Sequence, residues 1–123
     1  MTPRAHTVRV EKRHVHDLPV LSISGTVDLS TSPDLRDALF AAAQGIPGPV
    51  LVDLARVHYM DSSGVGTMVY FRRALERNGQ PVVLIGLQPR VRSVFEITHL
   101  DRFFRIVNTV DEAIAVARAP AAG

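Results

Sequence analysis

Val50-Leu51-Val52-Asp53-Leu54, followed after a short connection by Asp61-Ser62-Ser63-Gly64-Val65-Gly66, is the stretch whose reading decides the fold class. The first run is short and almost continuously apolar, as a strand reads when both its faces are covered. From Ser62 the period changes: Val65, Met68, Val69 and Leu75 mark one face of a helix, with Arg72, Arg73, Glu76 and Arg77 expected on a solvated face. Ser62 or Ser63 is the expected N-cap, and Asn78-Gly79 has the form of a helix stop. A buried strand feeding an amphipathic helix is half of a βαβ unit.

The same alternation extends in both directions. Downstream, Pro81-Val82-Val83-Leu84-Ile85 is a second central strand, and Gly86-Leu87-Gln88-Pro89 leads into a helix carrying Val91, Val94, Phe95 and Ile97. Phe103 to Val107 reads as a shorter strand. Thr109 and Glu112 are spaced as a capping box that opens a helix with Ala113, Ile114 and Val116. Upstream, Ser32 is placed to cap a helix with Pro33 at its first position and Asp34 in its first turn; Leu35, Leu39, Ala42 and Ala43 line it, and residues 44–49 end it. Thr7 to Lys12 and Val20 to Ser24 alternate as two strands of a hairpin turning at His16-Asp17-Leu18-Pro19. Gly25 is expected to break the second strand, with Val27-Asp28-Leu29 continuing it briefly. The expected architecture is an α/β sandwich, a mixed central sheet of about five strands flanked by about four helices. Residues 1–118 form one domain in this reading, and 119–123 a frayed tail.

The chain has 123 residues, a length that suits one domain, and no cysteine, which excludes disulfides and cysteine-ligated zinc. Its first residues lack the apolar core of a signal peptide, and no apolar run approaches the ~20 residues of a bilayer crossing. A cytoplasmic protein with no membrane partner is expected. The pI of 9.7 overstates the charge, which is only +2. One lysine, Lys12, stands against 13 arginines that are spread along the chain with few aromatics between them, so no direct nucleic-acid partner is expected. His14 and His16 share a face of any strand there, but further ligands are missing, and neither a metal nor a cofactor is expected. Asp53, inside its apolar run, reads as a hydrogen-bonded structural residue.

Asp61-Ser62-Ser63-Gly64-Val65-Gly66 lies where a buried strand gives way to a helix. Unpaired N–H groups and the positive end of the helix dipole favour hydroxyls and carboxylates at such a point, so capping explains part of the motif. Two successive serines and two glycines exceed what a cap requires. Glycine costs a helix about 1 kcal/mol relative to alanine, which implies a close approach by something. A nucleophile elbow needs glycine two residues before the serine, where Met60 or Asp61 stands instead, and His99 has no identifiable acidic partner. Gly64-Val65-Gly66-Thr67 also lacks the lysine of a phosphate loop and the third glycine of a dinucleotide fingerprint, the place of which Val69 takes.

Met60-Asp61-Ser62-Ser63-Gly64-Val65-Gly66 resembles the phosphorylation-site signature of STAS-domain anti-sigma factor antagonists. Gly25-Thr26-Val27-Asp28 resembles the family's Gly-x-x-Asp, Val50 to Leu54 its preceding strand, and Val91 to Phe104 its third helix and last strand. His99 departs from the pattern, standing where many members have glycine. The resemblance covers about Val20 to Ala117 and implies a STAS fold and a regulatory module without catalytic residues. The unphosphorylated form of such a module binds an anti-sigma factor serine kinase and frees a sigma factor. Phosphorylation of Ser62 switches binding off, and a serine phosphatase restores it. Asp28, Asp61, Ser63 and Gly64 would border the docking surface. Two other readings stand beside it: a non-phosphorylated STAS accessory subunit of a transporter or stress-sensing complex, and a nucleotide-binding or hydrolysing protein.

Overall fold

The computed structural model describes residues 7–119. In chain order the elements are β1 (Val8–Val15), β2 (Leu18–Val27), α1 (Ser32–Ala43), β3 (Val50–Met60), α2 (Ser62–Arg77), β4 (Val82–Ile85), α3 (Pro89–Ile97), β5 (Arg105–Val107) and α4 (Val110–Arg118). The five strands form one sheet in the order β1-β2-β3-β4-β5. β1 runs antiparallel to β2, and every other pair is parallel. The expected mixed sheet of five strands with four helices is what forms. The expected tail falls outside the described residues except for Ala119, as do residues 1–6.

Alternation along the strands sorts the core into two layers. Leu21, Ile23, Val50, Val52, Leu54, Val82 and Leu84 face α1, α2 and α3, where they meet Leu35, Leu39, Met68, Phe71, Val91 and Phe95. Val20, Leu51, Val83 and Ile85 face the other way, against Ala113 and Ile114 of α4. Three successive parallel crossovers therefore stack their helices on one face, as a single handedness of crossover demands. The sheet never reverses direction between parallel strands, so it lacks the crevice that a topological switch point opens for nucleotides.

Several boundaries differ from expectation. The hairpin turns on His16 and Asp17 alone, with φ of 49° and 67°, and Val15 opposite Leu18. Positive φ at both central residues gives a turn whose twist matches the strands, and Leu18 and Pro19 are left in β2. His16 thus sits in the turn and not on a strand face with His14. β2 does not stop at Gly25 but passes through it at φ 110°, opposite a bulge in β3, and a Cβ there would collide with the Thr7 carbonyl oxygen. Asp28 and Leu29 lie beyond the strand.

β3 continues to Met60, although the apolar run ends at Leu54. Its last residues pair with β2 alone, since pairing with β4 ends at Asp53 opposite Ile85. Two register shifts in this stretch place the inward residues at Leu54, Val57 and Met60, a spacing of three that hides the strand's period of two. Ser32 does not cap α1: Thr31 is its N-cap residue, and Ser32 lies in the first turn. Ile97 is 77% exposed instead of lining the core. Phe71, unmarked by the sequence pattern, is fully buried on α2 and packs edge-on against Phe40 at 5.2 Å. Arg72 is not on the solvated face. It pairs with Glu76 at 2.7 Å and lies 4.0 Å over the Phe103 ring, tying α2 to the segment before β5.

His99 has φ 59°, the left-handed region that glycine adopts freely, so its departure from the family glycine is absorbed in local backbone geometry. Asp53 accepts from Arg13 at 2.9 Å and from the Ala55 N–H at 2.9 Å, the structural role its surroundings imply.

Candidate functional site

Because β2 and β3 are adjacent and parallel, the helices that follow them begin side by side at one edge of the sheet. The α1 and α2 N-termini meet there, and the Asp61 N–H ties the start of α2 to the end of β2 by donating to the Val27 carbonyl at 3.1 Å. Asp61 is the N-cap of α2: its extended backbone and carboxylate satisfy the N–H of Ser63 at 2.9 Å and of Gly64 at 3.4 Å. Neither serine is the cap.

The two serines have opposite surroundings. Ser63 Oγ donates to the same Asp61 carboxylate oxygen and lies 2.9 Å from Ser32 Oγ on α1. Ser32 Oγ is also 2.7 Å from the Asp28 carbonyl oxygen. Two hydroxyl protons serve these three contacts. A carboxylate only accepts, and the Asp28 carbonyl already receives the N–H groups of Thr31 at 3.1 Å and Ser32 at 2.8 Å. The arrangement that satisfies most groups runs from Ser32 to Ser63 to Asp61. Ser63 is thereby held in both roles, as donor and as acceptor. Ser62, the first residue of α2, is exposed, and its hydroxyl makes no hydrogen bond among the described residues.

Asp28 organises the neighbouring turn. One of its carboxylate oxygens accepts from the Ser30 N–H at 2.9 Å, the Ser30 hydroxyl at 2.6 Å and the Thr31 N–H at 3.1 Å. The Thr31 hydroxyl donates to the Thr26 carbonyl at 2.9 Å and accepts the Asp28 N–H at 2.9 Å. Asp28, Asp61, Ser62, Ser63 and Gly64 are thus brought to one edge of the molecule.

The glycines divide the work. Gly64 is buried, and a Cβ there would stand 2.6 Å from Met60 Cγ and 2.6 Å from Val27 Cγ1, so the close approach it permits is to the chain's own core. Gly66 is exposed with nothing within 4 Å of such a Cβ. One helical turn from Ser62, it leaves bare backbone at the surface, so of the two glycines expected to admit a close approach it is the one open to the outside. The i, i+4 spacing from Ser62 was the available signal. Leu29, 78% exposed, and Tyr70, 56% exposed, were missed in the sequence.

The described residues include no group of three or more His, Cys, Asp or Glu side chains able to hold a metal ion, and no helix long and apolar enough to cross a membrane. The site is a hydroxyl-bearing surface, not a cleft.

The STAS domain profile matches residues 9–113. The chain is 31% identical over 108 residues to an anti-sigma-B factor antagonist of Listeria monocytogenes, covering 86% of this chain and 92% of that one. Among solved structures it is similar to the anti-sigma factor antagonist SpoIIAA in its unphosphorylated form (27% identity, TM-score 0.72, 93% of this chain and 100% of that one). It is also similar to the Bacillus cell fate determinant SpoIIAA in the phosphorylated form (26% identity, TM-score 0.63, 89% and 100%). The profile, the curated relative and the shared fold agree over nearly the whole described chain, which belongs to the STAS-domain family of anti-sigma factor antagonists.

Proposed function

We propose that the protein acts by partner switching: unphosphorylated, it binds an anti-sigma factor that is itself a serine kinase, and phosphorylation of Ser62 ends the binding. A serine phosphatase returns it to the binding form. The observation that carries this reading is the contrast between an exposed, unbonded Ser62 and a Ser63 engaged on both sides. A kinase needs a hydroxyl it can reach and turn, and Ser62 offers one at a helix N-terminus. That SpoIIAA has a phosphorylated form supports the same chemistry here.

The switch follows from electrostatics. A phosphate on Ser62 adds nearly two negative charges beside Asp61 at pH 7. The α2 N-terminus can host it, so the fold survives. A partner surface shaped for a neutral serine meets bulk, like-charge repulsion and a desolvation cost instead. A loss of about 3–4 kcal/mol weakens binding by roughly a few hundredfold, enough to release a partner. In this reading Asp28, Asp61, Ser63 and Gly64 border the docking surface, Gly64 by letting α2 seat closely on β3. The protein is a binding module with no catalytic residues and no cofactor, and it works in the cytoplasm.

The test is capture from native lysate by wild type, Ser62→Ala and Ser62→Asp, with phosphopeptide mapping after incubation with the captured kinase and ATP. Wild type and the alanine form retain a kinase-fold anti-sigma factor, the aspartate form loses it, and only wild type is labelled. If all three instead capture the same membrane or scaffold complex, the accessory-subunit reading replaces this one.

A further inference from the structure

Leu29 is 78% exposed beside the switch, an orientation that costs free energy in water unless something covers it. The turn that carries it is rigid. Asp28 holds Ser30 and Thr31, Thr31 is tied back to the Thr26 carbonyl at 2.9 Å, and Ser32 is joined to Ser63 at 2.9 Å. Every side chain from Asp28 to Ser32 except Leu29 is committed within the chain. Beside it lies a hollow of about 240 Å³ lined by Leu29, Ser32, Pro33, Arg36 and Thr67. Thr67 is on the first turns of α2, so knob and hollow continue directly into the Ser62 surface. Arg36 is the one charged residue of that lining, and its nearest carboxylate, Asp37, stands 4.0 Å away with both side chains more than half exposed. Arg36 also lies 5.7 Å over the exposed Tyr70 ring, and an ion pair and a ring contact this exposed are weak enough to yield to another partner.

We infer that Leu29 is a preorganised anchor, which the protein that reads Ser62 grips in an apolar pocket bordered by a carboxylate that meets Arg36. This rests on the partner-switching reading and adds the chemistry of the partner's surface. A rigid aliphatic knob loses little conformational freedom on docking, so most of its burial is realised as affinity. A second copy of this chain is the poorer occupant. A two-fold contact centred on this patch would bring Arg36 near its own copy, a like-charge pairing in place of a complementary one.

The experiment measures the affinity of purified wild type, Leu29→Ala, Leu29→Met, Arg36→Glu and Ser62→Asp for the kinase-fold anti-sigma factors of the source organism, without ATP turnover. Melting temperatures and sedimentation serve as controls. Leu29→Ala is expected to weaken binding about 30-fold, the effect of withdrawing most of a leucine side chain from an apolar pocket. Leu29→Met restores most of the affinity, Arg36→Glu weakens it about 10-fold or more, and the melting temperatures stay at the wild-type value. Equal binding by Leu29→Ala and wild type, with binding lost in Ser62→Asp, overturns the anchor and leaves the switch standing. If wild type binds none of these proteins, both readings fall. A dimer that Leu29→Ala disperses overturns the proposal in favour of a contact between copies.

Discussion

The N-termini of α2 and α4 begin with similar residues and end up in different situations. At α4, Thr109 accepts the Glu112 N–H at 3.1 Å and its hydroxyl meets the Glu112 carboxylate at 3.2 Å, so each side-chain bond of the cap stays within one turn. At α2, Asp61 caps the helix, but its partner Ser63 is also bonded to Ser32, 31 residues earlier, and Gly64 must be bare to seat against Met60 and Val27. One residue, Ser62, is left out of that network. The difference teaches how a purely structural helix start is built differently from the one for which a function is proposed. A structural start satisfies itself locally. The other is braced by distant residues so that a single group stands free on a rigid mount.

The comparison can be broken or sharpened by substitution. The largest effect is expected at Gly64→Ala, whose new methyl collides with Met60 and Val27; overpacking less the helix-propensity gain leaves about 2 kcal/mol of destabilisation in urea unfolding. The same change at exposed Gly66 is expected to stabilise by about 0.5–1 kcal/mol, and a loss at both glycines would show that propensity and not packing governs the turn. Asp61→Ala removes the cap and the acceptor for Ser63, so about 1.5 kcal/mol is lost, again read by urea unfolding. Thr109→Ala, which breaks only local bonds, is expected to cost about 0.5–1 kcal/mol. Equal losses for Asp61→Ala and Thr109→Ala would mean that the long-range bracing contributes nothing. The smallest effect belongs to Ser62→Ala, within about 0.5 kcal/mol of wild type, because an exposed, unbonded hydroxyl supports no packing.

Much of the fold was legible wherever local signals and tertiary demands coincide. Val50 to Leu54 and Val82 to Ile85 lie in the covered centre of the sheet, where continuous apolarity and strand are the same statement. The second half of β3 was illegible because bulges spaced its inward residues by three; the hairpin turn was legible at residues 16–19, but not its tightening to His16-Asp17, which lacks the glycine that normally announces positive φ. Arg72 read as solvent-facing because its charge pattern says so; only the arrival of Phe103 from far along the chain gives its guanidinium a ring to lie on.

At the site the division is sharper. By itself the sequence determined that a strand-to-helix turn carries Asp61-Ser62-Ser63-Gly64, that a helix N-terminus there would favour hydroxyl and carboxylate groups, and that hydrolase and phosphate-loop chemistries lack their residues. All of these follow from neighbours in the chain. Ser62 and Ser63 were distinguished only by resemblance. What separates them physically is Ser32, placed beside Ser63 by the parallel pairing of β2 with β3, and only the tertiary structure makes that contact. Local sequence sets which groups a turn offers, whereas burial and long-range hydrogen bonds decide which of them remain free.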